Sequence, residues 1–113
     1  MSKYELKAND LLARLQALIN KFEIHKGQDG WPDYYVASSE ITDQYPDILI
    51  DVQTLFFCDS PSHPLYVQVM KLNERKDKVL SRYSDEFSYS DFVTLKNILL
   101  KYLEYRAFLE AKD

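Results

Sequence analysis

Lysine and arginine are missing from the middle of this sequence. Residues 27–70 carry seven acids and no base, whereas the flanks, 1–26 and 71–113, together sum to +3. The overall net charge of −4 therefore hides a segment of charge −7, which we call the base-free segment. Its acids are Asp29, Asp33, Glu40, Asp43, Asp47, Asp51 and Asp59. Because nucleic-acid binding depends on cations that neutralise phosphates, we expect no direct contact between this segment and nucleic acid.

Glycine, cysteine and histidine are also scarce. Gly27 and Gly30 are the only glycines, so the last 83 residues cannot contain a glycine-rich phosphate-binding loop. One cysteine and two histidines, without CxxC or HExxH spacing, do not make a metal-ligand set. We therefore predict no cofactor, no metal and no catalytic residues, and we expect that the protein is not an enzyme. Cys58 follows two phenylalanines and is interpreted as a buried structural thiol.

Long apolar runs are absent too. None approaches the roughly 20 residues that a membrane-spanning helix requires, and the first residues lack the apolar block of a signal peptide. A single cysteine fits a reducing compartment. With 113 residues, 46% hydrophobic and 28% charged, the chain has the size and composition of one globular domain over residues 1–113. We expect a soluble, cytoplasmic protein that does not contact a membrane.

Apolar spacing predicts a mainly α fold, a single-domain bundle of four to five helices. The first helix should run from about residue 3 to about residue 25, with Gly27 and Gly30 as its stop. Its apolar stripe consists of Leu11, Leu15, Leu18 and Phe22, flanked by Leu12 and Ile19. This period of 3.6 residues is the clearest structural signal in the sequence.

A third helix should span about residues 63–83, with Ser62 as its cap and Pro64 in its first turn. A last helix should begin at Ser88 or Ser90, with Asp91 near the positive end of its dipole. The stripes are Leu65, Val69, Leu72, Val79 and Tyr83 in the third helix, and Phe92, Leu95, Leu99, Tyr102 and Leu109 in the last.

Residues 47–57 fit two structures. A helix begun by Pro46 is favoured, but a strand paired with residues 65–69 is the alternative. That pairing would give an α+β fold, with a small antiparallel sheet over about residues 34–72 between the N- and C-terminal helices. Residues 39–46 followed by 47–57 also match a helix-turn-helix, the arrangement of a transcriptional regulator. Against that interpretation, Asp47 and Asp51 would repel the DNA backbone.

Aromatic rings and acids cluster at the start of the base-free segment. Trp and Tyr dominate binding hot spots, and acids around them steer a basic partner. The predicted partner-binding residues are Trp31, Asp33, Tyr34, Tyr35, Glu40, Asp43, Tyr45 and Asp47. They suggest a small non-catalytic inhibitor or adaptor that occupies a basic groove on a protein, including a nucleic-acid enzyme. Immunity proteins, antitoxins and phage anti-defence proteins are of this type. In the competing interpretation the rings cap the core and the acids are simply solvated.

The last helix raises another function class. Its apolar residues cover a broader arc than one core-facing stripe requires, which would suit a homodimeric scaffold. The candidate dimer interface consists of Leu100, Leu103 and Tyr105.

Overall fold

The described part of the chain folds into four helices and one small sheet. The computed structural model describes the backbone of residues 2–79 and 85–112, and the side chains of residues 2–75 and 89–111. The elements in chain order are α1 Lys3–Ile19, β1 Glu23–His25, β2 Tyr34–Val36, α2 Ser39–Asp59, α3 Pro64–Val79 and α4 Asp85–Lys112. The prediction of a mainly α bundle is confirmed.

The four helices pack in a ring. Each helix contacts two others, in the order α1, α2, α3, α4 and back to α1. The apolar stripes of the sequence point to the centre of this ring. The largest fully buried side chains are Tyr45, Tyr102, Phe56, Phe92, Leu11, Leu15, Leu18, Ile41, Ile48, Leu49, Leu95 and Leu99. Their burial supplies the main stabilisation, at roughly 1.5–3 kcal/mol for each large side chain.

Helix α1 ends six residues earlier than the sequence predicted. It begins at the cap Ser2, whose hydroxyl accepts a hydrogen bond from the Glu5 amide (3.2 Å), and ends at Ile19. Phe22, predicted as the last residue of the helical stripe, lies beyond the helix and still enters the core. Its ring packs edge-on against Phe92, with 5.1 Å between the centroids. The backbone of Phe22 is no longer helical, but its ring still packs in the core, so the end of the helix costs no burial of this side chain.

The two glycines belong to a β-hairpin and do not stop a helix. In the turn from Gln28 to Trp31, Asp29 has φ 51° and Gly30 has φ 88°, and the Trp31 amide donates to the Gln28 carbonyl (3.0 Å). Positive φ at both central residues is typical of a type I′ turn, which here lies within the longer connection of residues 26–33 between the two strands. Strands β1 and β2 pair with His25 opposite Tyr34. Strand β2 packs against α4, which leaves β1 at the outer edge.

The small sheet therefore lies at residues 23–36 and not at 34–72. Residues 47–57 are helical, as favoured, and residues 65–72 are helical as well. The helix-turn-helix prediction is wrong in its geometry, because residues 39–59 form one continuous helix. Pro46 lies inside that helix and removes only one backbone hydrogen bond, the one to the Thr42 carbonyl. Buried Tyr45 and Ile48 on either side hold the helix together across this gap.

Two predicted caps are also corrected. Helix α3 is capped by His63 and not by Ser62, since the His63 Nδ1 accepts a hydrogen bond from the Leu65 amide (3.0 Å). Helix α4 begins at Asp85, so Ser90 and Asp91 lie inside it and Asp91 is buried. The side chains of Val79 and Ser88, and the whole of Tyr83, are outside the described residues.

Candidate binding surface on the hairpin and helix α2

The most exposed large apolar side chain that the structure describes is Trp31, on the connection between β1 and β2. Its side chain is 76% exposed, and that of Tyr34 is 43% exposed. Together with Pro32 and the chain from Lys26 to Gln28, these rings line an open cleft of about 600 Å³. We call it the hairpin cleft. Such exposure costs hydration free energy, and a large exposed ring beside a concave surface is a common feature of binding sites.

Close contacts within the loop hold the hairpin cleft in shape. A Cβ atom built on Gly27 would lie 2.0 Å from the Trp31 carbonyl oxygen, so only glycine permits this close approach. The Gly27 amide donates to Asp33 Oδ1 (3.0 Å), and Lys26 Nζ lies 3.6 Å from Asp33 Oδ2. The Asp-Gly turn adds a third constraint. Trp31 is therefore presented by a pre-organised loop, which reduces the entropy that binding would cost.

Two of the predicted partner-binding tyrosines face the interior. Tyr45 is fully buried and stacks on Phe92, with 4.4 Å between the ring centroids. Tyr35 is half-buried and stacks on Tyr89 at 3.7 Å. Tyr45 cannot contact a partner in this conformation, and Tyr35 is only partly accessible. These two rings therefore pack against the core, as the competing interpretation expected.

Tertiary pairing neutralises much of the base-free segment. Glu40 pairs with Lys21 of the chain between α1 and β1, and Asp51 pairs with Arg14 (3.4 Å) and Lys7 (3.9 Å) of α1. Bases of the flanks thus reach acids that are distant in sequence. Since these side chains are all partly solvated, each pair stabilises by at most about 1 kcal/mol.

Asp59 is engaged by side chains of α4. Its two carboxylate oxygens receive the Tyr102 hydroxyl and Arg106 Nη1 (3.3 Å). Arg106 Nη2 also donates to the Ser2 hydroxyl (3.0 Å). Burial, followed by the bond to Asp59, raises the pKa of Tyr102 above its ordinary value. This network joins three helices, so Asp59 serves the fold and is withdrawn from the surface.

Asp43 and Asp47 remain as free acids. They lie one turn apart on the exposed face of α2, and no described cation forms an ion pair with either. Asp29, in the hairpin turn, is exposed as well. Of the eight predicted partner-binding residues, the exposed set therefore divides into two groups. Trp31, Asp33 and Tyr34 lie on the hairpin, and Glu40, Asp43 and Asp47 lie on α2.

A buried polar cluster connects α2, α3 and α4 beneath this surface. Asp91 Oδ1 lies 3.3 Å from Arg75 Nη2, whereas Asp91 Oδ2 and the Tyr45 hydroxyl are buried without a described partner. Burial raises the pKa of Asp91, and Arg75 opposes that shift. Burial, and next the charge of Asp91, raise the pKa of Tyr45. Tyr45 and Asp91 are buried, whereas the Arg75 side chain is half exposed.

Cys58 is exposed, which corrects the prediction of a buried thiol. Phe56 alone of its two aromatic neighbours enters the core, and Phe57 faces solvent. Cys58 lies two residues after Phe56, about half a helical turn, and so on the side of α2 away from the interior. It lines a smaller cleft of about 250 Å³ between α1 and α2, with Lys3, Tyr4, Lys7, Asp51, Thr54 and Leu55. Among the described residues, no three potential metal ligands of the His, Cys, Asp and Glu types come together.

The candidate dimer interface on α4 is largely covered by the chain itself. Leu103 packs against the core, and the ring of Tyr105 meets that of His63 edge-on, with 4.5 Å between centroids. Leu100 is the one residue of the three that is exposed. The broad apolar arc of α4 therefore reflects contacts with α1 on one side and α3 on the other.

Comparisons of the chain with known protein families, with curated proteins and with solved structures find no match. In the part of the chain that the structure describes, no helix is both long and apolar enough to cross a membrane.

The residues that line the hairpin cleft beside the rings were not predicted from the sequence. Lys26, Gly27 and Pro32 were not singled out for binding, although they line it beside Trp31. A signal was available, because Asp-Gly between two short β-compatible stretches is a strong indicator of a hairpin.

Proposed function

We propose that this protein is a non-catalytic protein-binding module, an inhibitor or adaptor, that docks on a basic surface of another protein through its hairpin. The observation that carries the proposal is Trp31, a mostly exposed ring on a braced loop. Rigid aromatic anchors of this kind supply much of the binding free energy in protein interfaces. The protein would block or recruit its partner by occupying a surface and would carry out no chemistry.

Charge supports a basic partner. Residues 23–36 hold Glu23, Asp29 and Asp33 against the single Lys26. Asp43 and Asp47 add two charges on α2 that pair with no described cation. Exposed acids accelerate encounter with a basic surface and disfavour acidic competitors. A nucleic-acid enzyme offers such a surface in the groove that holds its phosphate chain. The cytoplasm is the compartment that we propose for this encounter.

The proposal is tested by affinity capture from the native host followed by mass spectrometry. Wild-type protein should retain a specific basic protein, and Trp31→Ala should lose it. Phe57→Ala is the matched control, because Phe57 is also a mostly exposed ring but lies on α2 away from the hairpin. Equal capture by wild-type protein and Trp31→Ala would remove the hairpin from the binding site.

The electrostatic part is tested with the purified complex. Reversal of both Asp43 and Asp47 to Lys should slow association about tenfold or more at low salt, with less effect at high salt. Reversal of Asp10 and Glu104, two exposed acids on α1 and α4, changes net charge equally and serves as the control. If both double variants slow association to the same degree, total charge and not the α2 face steers the encounter.

A further inference from the structure

One of the side chains that line the hairpin cleft is a cation, Lys26, and its position beside Asp33 points to the chemistry of a ligand. Lys26 lines the cleft, and its ammonium group lies 3.6 Å from Asp33 Oδ2. The other oxygen, Asp33 Oδ1, is fixed by the Gly27 amide at 3.0 Å. One carboxylate oxygen is therefore committed to the loop, and the second is oriented toward a positive charge.

The native cation is weakly held. The Lys26 side chain is 87% exposed, and its contact with Asp33 is a solvated pair of the kind that contributes little stability. A ligand cation could displace it at small cost, because the lysine regains its freedom in water. Trp31 and Tyr34 line the same cleft as Lys26, and the Tyr34 ring also packs against His25, with 5.4 Å between the ring centroids. Asp33 does not itself line the cleft and adjoins it through its contact with Lys26.

We propose that the hairpin cleft receives an arginine side chain of the partner protein. Its guanidinium would replace the Lys26 ammonium at Asp33 Oδ2 and stack on Trp31 or Tyr34. A guanidinium suits this site better than an ammonium, since it is planar, weakly hydrated and able to stack while it donates hydrogen bonds. This inference rests on the proposed function and specifies which side chain of a basic partner the hairpin recognises. A stacked nucleobase is disfavoured because Asp29 and Asp33 would repel its phosphate.

Trp31 makes the test direct, because it is the only tryptophan of the chain. The probe is a capped Gly-Gly-Arg-Gly-Gly peptide, titrated at constant ionic strength while Trp31 emission is recorded. A twin peptide with citrulline has nearly the same shape and no charge. We expect a saturable change with the arginine peptide and at least about threefold weaker binding of the citrulline peptide, as for a cation–π contact with a carboxylate nearby.

Two variants extend the test. Lys26→Met should bind the arginine peptide about twofold or more tightly, because the competing cation is gone and the apolar stem is kept. Tyr34→Leu should weaken binding about threefold or more, whereas Phe57→Leu should not change it. The Lys26 variant keeps the test meaningful even if Tyr34→Leu disturbs strand β2.

Several results would overturn the inference. They are no saturable change of Trp31 emission up to about 50 mM arginine peptide, equal binding of the citrulline twin, or tighter binding of a single-stranded oligonucleotide. If affinity capture still depends on Trp31 while the peptide fails, the proposed function stands and the arginine assignment falls. If both fail, the hairpin is not a binding site.

Discussion

At the scale of single residues, Asp91 combines burial with incomplete hydrogen bonding. Its side chain is 3% exposed, one oxygen meets Arg75, and the other has no described partner. Burial raises its pKa, so this carboxyl is harder to ionise in the folded protein than in the unfolded chain. The stability that this group contributes is therefore present at low pH. It is lost as pH rises through the raised folded-state pKa, which lies above the ordinary value of about 4.

Asp91→Asn should stabilise the protein at pH 7 by about 0.5–1.5 kcal/mol, because it removes a buried charge and keeps the shape. Arg75 loses its partner at little cost, since half of it is in solvent. Urea unfolding of both proteins at pH 4 and pH 7 measures the effect, and the gain should be larger at pH 7. A loss of more than about 1 kcal/mol at pH 7 would mean that the ion pair outweighs the desolvation of Asp91.

The two glycines of the hairpin should respond differently to alanine. Gly27→Ala puts a Cβ atom 2.0 Å from a backbone oxygen, so the loop must shift and Trp31 must move. Gly30→Ala meets open space and suffers only from its φ of 88°, at a cost of about 1 kcal/mol. We expect Gly27→Ala to shift the Trp31 emission maximum and to lower stability by more than Gly30→Ala does. Equal emission spectra for the two variants would argue against the tight Gly27 contact.

At the scale of elements, helix α2 contains a proline, Pro46, which is a residue that disfavours a helix interior. Pro46 is the eighth residue of α2 and leaves the Thr42 carbonyl without its helical donor. The helix continues because both of its halves are buried in the same core, through Ile41 and Tyr45 before the gap and Ile48 and Leu49 after it. Burial of four large side chains outweighs one lost hydrogen bond.

Pro46→Ala should therefore raise stability by about 1 kcal/mol or more, because it restores the amide donor and relieves ring contact with the preceding turn. Pro64→Ala is the matched control. Pro64 is the first residue of α3, where no amide donor is needed, so its replacement should change stability by less than about 0.5 kcal/mol. Chemical denaturation of both variants measures the two changes in the free energy of unfolding. A destabilised Pro46→Ala protein would show that the core is fitted to the shape that proline imposes.

At the scale of the whole molecule, one end of the bundle is held by the network around Asp59. Ser2, Asp59 and Arg106 come from the cap of α1, the end of α2 and the last third of α4. The Asp59 and Arg106 side chains are only 8% and 18% exposed. An ion pair in such a setting is costly to break, because removal of one partner leaves the other charge poorly solvated.

Asp59→Ala should destabilise the protein by about 2–3 kcal/mol, whereas Asp51→Ala should cost less than about 1 kcal/mol. Both acids lie on α2 and both pair with bases, but Asp51 is far more exposed. A double-mutant cycle of Asp59→Ala with Tyr102→Phe should give a coupling of about 1 kcal/mol or more. Thermal or urea unfolding measures all of these variants. Additive effects in the cycle would mean that the Tyr102 hydroxyl does not depend on Asp59.

Much of the bundle was predictable because helical periodicity is local. The stripe of Leu11, Leu15 and Leu18 was read from spacing alone, and so were the buried faces of α3 and α4. The end of α1 was not predictable in this way, since Phe22 continues the spacing while its backbone is no longer helical. The role of Tyr45 was also hidden. A tyrosine among acids suits a surface as well as a core, and only the position of Phe92 and Asp91 decides between them.

The sequence by itself determined the helical class, the main core residues and the aromatic, acidic character of residues 31–47, because composition and period are properties of neighbouring residues. Only the tertiary structure decided how much of the base-free segment is left uncompensated. Lys21, Arg14 and Arg106 lie outside it in sequence, and folding brings them to Glu40, Asp51 and Asp59. Charge acts through space, over a few ångströms, so a run without bases along the chain need not be a surface without them. Of the predicted partner-binding residues, folding leaves Trp31, Asp33 and Tyr34 exposed on the hairpin, and Glu40, Asp43 and Asp47 exposed on α2. Asp43 and Asp47 have no ion-pair partner among the described cations.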